Sequence, residues 1–568
     1  MAMVLIVLAA LVLAAGRQPA FAAAPTPQLE VAPDLQDDMP PVSVRRAIRI
    51  ADGTAGVHEA RQAHPGLRAE HVVLFTGSGN WSISYLSDSR RLVDVHVDSR
   101  TGRVVKVWEG TQAEWSMARG EKGYFGKRFQ EWYVWLPMCL LFFAPFFDPR
   151  RPFRMLHVDL LVLLAGFGAS HFFFNKGEVG TSVPLVYPVL AYFVVRMLVA
   201  GFRPRRTGEP LVPLVPIAVL VAGIALLGGL RIGLDLTEGK VGDVGDAGAI
   251  GATRIQEDEP LYVDSGETDR HFDTYGPVNY LAYDPFVRIW QPSQQDVAAP
   301  EDSDPAAARA AALVFDAFTI LGLFLLGVRL RPGRAGRLLG VALAYGWVSF
   351  PYTLFPLMTN GNDTLIAMLV VYALLGLTSA PARGALIALA GAAKFAPLAL
   401  APLFATGRGE GSRLRAWTSF TLAAVLVGLL TVVPYVPDEG GWRVFWDQTI
   451  GFQLAREGPF SIWGQNPGLE PLLTIVKVAV VALGVLVAFV PRRRDALQVA
   501  ALGAAVLLAT QLIAIHWFYL YIVWFTPFLL VALFGEYSTT RNRGREPVAA
   551  VVAPGVHAQE RELVGAPG

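Results

Sequence analysis

Apolar runs of about 20 residues recur along most of this 568-residue chain, and each is long enough to cross a hydrocarbon core roughly 30 Å thick. Backbone polar groups inside lipid must be satisfied within each crossing, so helices are expected. The runs place spans near 131–147, 155–174, 182–200, 211–230, 308–328, 337–357, 362–379, 415–436, 471–490, 496–514 and 517–535. Charged residues make up 17% of the chain and hydrophobic ones 53%, against roughly 25% charged in an ordinary soluble protein. The expected fold is a polytopic α-helical membrane protein with about eleven spans. The net charge of +1 names no polyanionic partner, and no nucleic-acid ligand is expected. The single cysteine, Cys139, lies inside an apolar run, which excludes an intrachain disulfide or a cysteine-based zinc site.

The amino terminus carries the apolar run Val4 to Ala15, then Arg17 and the small residues Ala20-Phe21-Ala22-Ala23-Ala24. Residues 1–24 read as a secretory signal, although no basic residue precedes the run. An uncleaved anchor is the alternative, and either places the next segment outside. Residues 25–41 are a proline-rich linker. Residues 42–112 have soluble character and predict a small extracytoplasmic α+β domain. A helix is expected over Val44 to Ala63, with Val44, Ala47, Ile48 and Ala51 on one face. Strands are expected at 72–75, 81–85, 93–98 and 104–108, with turns at Gly77-Ser78-Gly79-Asn80 and Ser99-Arg100-Thr101-Gly102.

Arginine placement orients the spans, because basic residues gather in short cytoplasmic loops. With the small domain outside, Arg150, Arg151, Arg154, Arg203, Arg205, Arg206, Arg329, Arg331, Arg334, Arg337, Arg492, Arg493 and Arg494 all fall inside. The tail 536–568, with Arg541, Arg543 and Arg545, is expected to be cytoplasmic and disordered, and the acidic loop 231–305 falls outside. The run Ala382 to Ala405 is long enough to span but carries Lys394, Pro397 and Pro402. A charge and two prolines at membrane depth predict a re-entrant hairpin with both ends cytoplasmic; a plain spanning helix is the alternative. The hairpin reading puts Lys394 in the cytoplasmic half, in a structural role, paired with a carboxylate or with lipid phosphate at the inner face.

Ionisable residues beside spans are where chemistry is expected. The acidic loop holds Asp243 and Asp246 among glycines and small apolar residues, a pattern that predicts close approach of a ligand to the backbone. Further on, Tyr275, Tyr280 and Tyr283 predict an amphipathic segment at the interface. The acids Glu257-Asp258-Glu259 lack fixed ligand spacing and read as a solvated face. The sequence has no phosphate loop, nucleophile elbow, zinc-peptidase motif or dinucleotide fingerprint, so no cofactor and no metal are expected.

Two resemblances follow from these residues. Trp81-Ser82-Ile83-Ser84-Tyr85, then Val95-His96-Val97-Asp98 and Thr101-Gly102, resemble the PepSY family of small extracytoplasmic binding or inhibitory modules. Residues 211–535 resemble GT-C glycosyltransferases, and within them the polyprenol-phosphate-mannose-dependent α-mannosyltransferases. The matching elements are Asp243 with Ala247-Gly248-Ala249, and Asp273-Thr274-Tyr275-Gly276-Pro277, where Gly276 replaces a proline. They continue with Asn360-Gly361-Asn362-Asp363, where Asn362 replaces a glutamine, Gly391 to Pro397, and Gly458 to Gly464 with Ser461.

The resemblance implies transfer of a sugar, mannose first, from a polyprenyl-phosphate donor in the membrane lipid to an envelope glycan or glycolipid on the outer face. A single carboxylate would serve as general base. Asp243 is the first candidate, Asp246 the second and Asp273 the third. Arg456 and His516 are candidates for stabilising the leaving phosphate. Tyr275, Asn362 and Ser461 are further candidates for substrate contact. A non-catalytic envelope binding or transport protein is the alternative, and a sensor signalling through the PepSY-like module is a third.

Overall fold

The computed structural model describes residues 40–75, 79–87, 90–120, 131–263, 274–293, 305–408 and 412–539. The expected signal, most of the linker, the Gly77-Ser78 part of the first turn and the tail from residue 540 lie outside the described residues.

The small domain is a four-stranded antiparallel meander in the order β1 (Arg68–Phe75), β2 (Asn80–Ser87), β3 (Arg90–Asp98), β4 (Val104–Glu109). Ile83, Val93, Val95 and Val97 meet Ala47, Ala51 and Val57 in its core. The expected single helix is two, Val44–Asp52 and Ala55–Ala63, because the chain breaks at Gly53-Thr54. The Trp81 indole donates to the Val42 carbonyl at 2.8 Å and ties the domain's first residues to the sheet. The turn before β4 is built by Asp98, whose carboxylate accepts from the Arg100 and Thr101 amides at 3.0 and 2.6 Å. Gly102 follows with φ +74°, a conformation side chains disfavour.

The rest of the described chain is a helical body. Six helices are long and apolar enough to cross a membrane: Met155–Phe174, Val179–Phe202, Ile217–Glu238, Ala306–Leu330, Arg413–Tyr435 and Pro467–Phe489. A seventh crossing arises if Gly333–Ser349 and Pro351–Met358, bent by 59°, count as one. The runs expected at 131–147, 362–379, 496–514 and 517–535 form shorter helices. The run expected at 211–230 is displaced to 217–238, because Pro216 precedes the first helical turn. Arg231 and Asp235, expected in the acidic loop, are therefore buried helix residues.

Two sets of buried charges inside the body are paired, which offsets their desolvation. Arg231 donates to Asp316 at 2.7 Å and to the Thr353 hydroxyl at 2.9 Å. Arg196 bridges Asp159 and Glu536 at 3.1 and 3.0 Å. Apolar side chains such as Leu422, Leu426, Leu429 and Leu430 stand exposed on Arg413–Tyr435, the surface a lipid-facing helix presents.

The arginine-rich connections gather at one end of the body. Arg331 donates to the Tyr537 carbonyl at 2.7 Å, Arg494 to the Gly407 carbonyl at 2.7 Å, and Arg329 to Thr378 at 2.6 Å. Arg206 pairs with Asp495, and Arg151 with Glu209. The small domain docks at the opposite end. There Gln112 donates to the Gly177 carbonyl at 3.3 Å, and Trp115 packs edge-on against Phe460 at 5.6 Å.

The run carrying Lys394 folds back on itself. Helix Ala380–Ala393 is followed by the turn Ala396–Leu400 and helix Ala401–Thr406. Arg383 near the start donates to the Phe404 carbonyl near the end at 2.7 Å, so the two ends lie together at the basic end. Pro397 and Pro402 sit in first helical turns, where no hydrogen bond is lost.

Candidate functional site

A cavity of about 250 Å³ opens at the end of the body that carries the small domain. Asp243, Tyr275, Arg456 and His516 all line it, and so do Asp363, Lys394, Gln453 and Met117.

Asp243 is the first residue of helix Asp243–Gln256, following Gly242. Its carboxylate is exposed and accepts from the adjacent Val244 amide at 2.9 Å. A helix N-terminus favours a negative side chain. The helix is fixed from below: the Gly242 amide donates to the Thr359 carbonyl at 2.9 Å and the Lys240 amide to the Met358 carbonyl at 3.0 Å.

The glycines of this helix serve packing, not ligand approach. A Cβ on Gly248 would come within 2.7 Å of the Tyr283 ring, one on Gly251 would collide with Tyr280, and one on Gly245 with the Asn360 carbonyl. Helix Asp243–Gln256 thereby lies directly on helix Pro277–Val287. Tyr280 and Tyr283 are buried between the two helices, which corrects their expected place at the interface. Gly276 is explained likewise: any Cβ there would strike the Ala392 carbonyl at the hairpin tip.

Tyr275 lies on that tip. Burial, and after it the negative charge of Asp243, push its phenol well above the usual range, so it is a neutral donor. Arg456 follows helix Phe452–Ala455, and among the described residues no carboxylate pairs with it. His516 packs against Phe460 and Trp115, with ring centroids 4.9 and 6.0 Å away. Burial first, and the charge of Arg456 second, hold its imidazole well below the ordinary histidine value, so it is neutral.

Lys394 stands at the turn of the hairpin. Helix Ala380–Ala393 has 14 residues, which at about 1.5 Å each carry the tip roughly 21 Å from the basic end. Lys394 lines the same cavity as Asp243 and donates to Asp363 at 2.7 Å. Its ammonium lies 5.3 Å from the Trp524 ring, 5.4 Å from Tyr275 and 5.8 Å from Tyr521, distances at which aromatic faces attract a cation. Trp524 also donates to Asp363, at 2.8 Å. Asp363 closes the Asn360-Gly361-Asn362-Asp363 stretch, and an acid opening an apolar helix is itself a signal of a functional position.

Other candidates lie elsewhere. Asp246 is buried in the helix and does not line the cavity. Asn362 is buried and donates to Asn279 at 2.6 Å. Ser461 caps helix Ile462–Gln465, accepting from the Gly464 amide at 2.9 Å. Asp273 lies outside the described residues. Glu257, Asp258 and Glu259 are exposed, and the described residues contain no group of three metal-ligating side chains.

The small domain reaches the cavity through residues 111–120. Met117 forms part of the wall, and Ala118 is fully buried in the body's core. Arg119 turns back to the sheet, pairs with Asp94 on β3 and lies 5.3 Å from the Trp108 ring. Asp94 also accepts from Ser82 and Ser84 at 2.9 and 3.3 Å. Burial raises its pKa, but the His96 ring 3.5 Å away and the Arg119 charge outweigh that and bring it down to about 2.

The cavity thus offers the exposed Asp243 carboxylate, a guanidinium with no carboxylate partner among the described residues, a caged ammonium and the neutral rings of Tyr275 and His516. That set can take a proton from a hydroxyl and hold an anion nearby. The chain matches no protein-family model, and no curated protein matches it.

Proposed function

We propose that this chain is a membrane glycosyltransferase of the GT-C type, moving a sugar, with mannose first, from a polyprenyl-phosphate donor to an envelope acceptor. The supporting observation is that the exposed Asp243 carboxylate and the unpaired Arg456 guanidinium line one cavity. In this reading Asp243 accepts the acceptor's hydroxyl proton as the acceptor oxygen attacks the anomeric carbon. The bond from that carbon to the phosphate oxygen breaks, and the polyprenyl phosphate leaves as an anion. Arg456, with Lys394 deeper in the cavity, stabilises that charge. Proton, sugar and leaving group balance without a cofactor.

The proposed topology has eleven crossings, with the basic end cytoplasmic and the cavity and PepSY-like domain on the outer face. The shorter helices complete the count among longer neighbours, and the hairpin rises from the cytoplasmic end. The small domain, through Met117, limits access to the cavity or presents envelope material to it. Membranes containing the full chain, supplied with labelled polyprenyl-phosphate sugars and envelope glycolipids, test the reading. Transfer of label to an acceptor is the expected result. No transfer from any such donor favours a non-catalytic binding or transport protein.

A further inference from the structure

Beneath the cavity floor lies a set of buried polar atoms that no described protein group satisfies. They are both amide atoms of Asn360, Oδ1 of Asn362, Oδ2 of Asp363, Oγ1 of Thr364, Nδ2 of Asn279 and the hydroxyl of Tyr283. Each of these residues is at most 1% exposed.

They are neighbours. Asn362, Asp363 and Thr364 are consecutive at the start of helix Asp363–Leu375, and Asn360 is two residues before them. Asn362 is bonded to Asn279. Tyr283 lies one turn beyond Asn279 on helix Pro277–Val287, hence on the same face, and feels the charges of Asp363 and Asp246. Asn360 itself has φ +51°, which aims its side chain from a backbone turn, not from the helix.

Buried polar atoms in folded proteins are almost always hydrogen-bonded, to protein or to ordered water. This set mixes donors, from Asn279 and Asn360, with acceptors, from Asn360, Asn362 and Asp363. A cation would meet amide hydrogens there, whereas water supplies both partners. We propose that these groups enclose bound water, an internal hydration site that solvates the free carboxylate oxygen of Asp363. A buried water makes about three hydrogen bonds, so the set accommodates roughly two or three molecules. Their role is to supply donors to the Asp363 oxygen that neither Lys394 nor Trp524 reaches. The inference does not depend on the transferase reading.

Two measurements on the full chain in lipid nanodiscs test it. Thr364→Val preserves shape and removes only the hydroxyl. In a hydrated site it breaks a water contact and lowers Tm. In a dry site it removes an unsatisfied hydroxyl, and Tm stays or rises. The second measurement uses the unaltered chain and decides the matter should the variant not fold. Radiolytic hydroxyl-radical labelling modifies buried side chains that touch bound water. Tyr283 is expected to label faster than Tyr519, which is also buried but has its hydroxyl bonded to Ser170 and Ser182 at 2.7 and 3.1 Å. A Tm that is unchanged or raised in Thr364→Val, or labelling of Tyr283 no faster than Tyr519, overturns the inference.

Discussion

Replacing Lys394 with methionine keeps side-chain length and removes one charge. Among the described residues the Lys394 ammonium is the only cation bonded to Asp363, and Asp363 is fully buried. In the variant Oδ1 of Asp363 keeps the Trp524 indole at 2.8 Å, while Oδ2 has no protein donor. Breaking a buried pair from one side costs about 3–5 kcal/mol. Loss of the ammonium from three aromatic faces adds about 1 kcal/mol. Lys394→Met is therefore expected to destabilise the chain by about 4–6 kcal/mol. Removing both charges in Lys394→Met/Asp363→Leu recovers most of this, because an apolar substitute for an ion pair is close to neutral. Unfolding in mixed micelles, run as a double-mutant cycle, reads the coupling. A single-variant cost below about 1 kcal/mol, or a double variant no more stable than Lys394→Met, refutes the view that this pair holds the hairpin tip.

Arg456→Gln is expected to lower transfer by about 10²–10³-fold, the usual cost of removing one donor to a developing anion. Arg456→Lys restores part of it, and rates with labelled donor across the three proteins check both. In the small domain, Asp94 titrates at about 2 against an ordinary 3.8, a difference worth about 2.5 kcal/mol. Its folded pKa is depressed, so this stability is complete above about pH 4 and is lost as pH falls through about 2. Asp94→Asn at neutral pH forfeits a similar amount, seen as faster hydrogen exchange in β2 and β3. Equal exchange in the two proteins counts against a stabilising role for the Asp94–Arg119 pair.

The sequence carried the helical, lipid-facing character of the chain because a run of 20 apolar residues has few other stable homes. It also carried the four strands, whose period-two alternation at Val93, Val95 and Val97 is local. What it did not carry depends on three-dimensional neighbours. The glycines at 245, 248 and 251 look the same whether a ligand or a tyrosine ring approaches them, and only the packed helix pair distinguishes the cases. The partner of Lys394 depends on where the hairpin turn sets it against Asp363, 31 residues earlier in the chain. Asn362 and Ser461 stand in motif-like stretches, yet the Asn362 amide nitrogen is engaged by Asn279 and the Ser461 hydroxyl by a helix cap. Asp243, Tyr275, Arg456 and His516 were named separately, and their common cavity depends on long-range packing.

The central claim is that one exposed acid in this cavity takes the acceptor's proton. Asp243→Asn is nearly isosteric, lies at the surface and keeps an acceptor for the Val244 amide, so folding should be unaffected. Transfer measured with saturating labelled donor is predicted to fall by about 10²–10⁴-fold, the usual contribution of a general base, with donor binding retained. Wild-type rates in a folded Asp243→Asn protein contradict the claim.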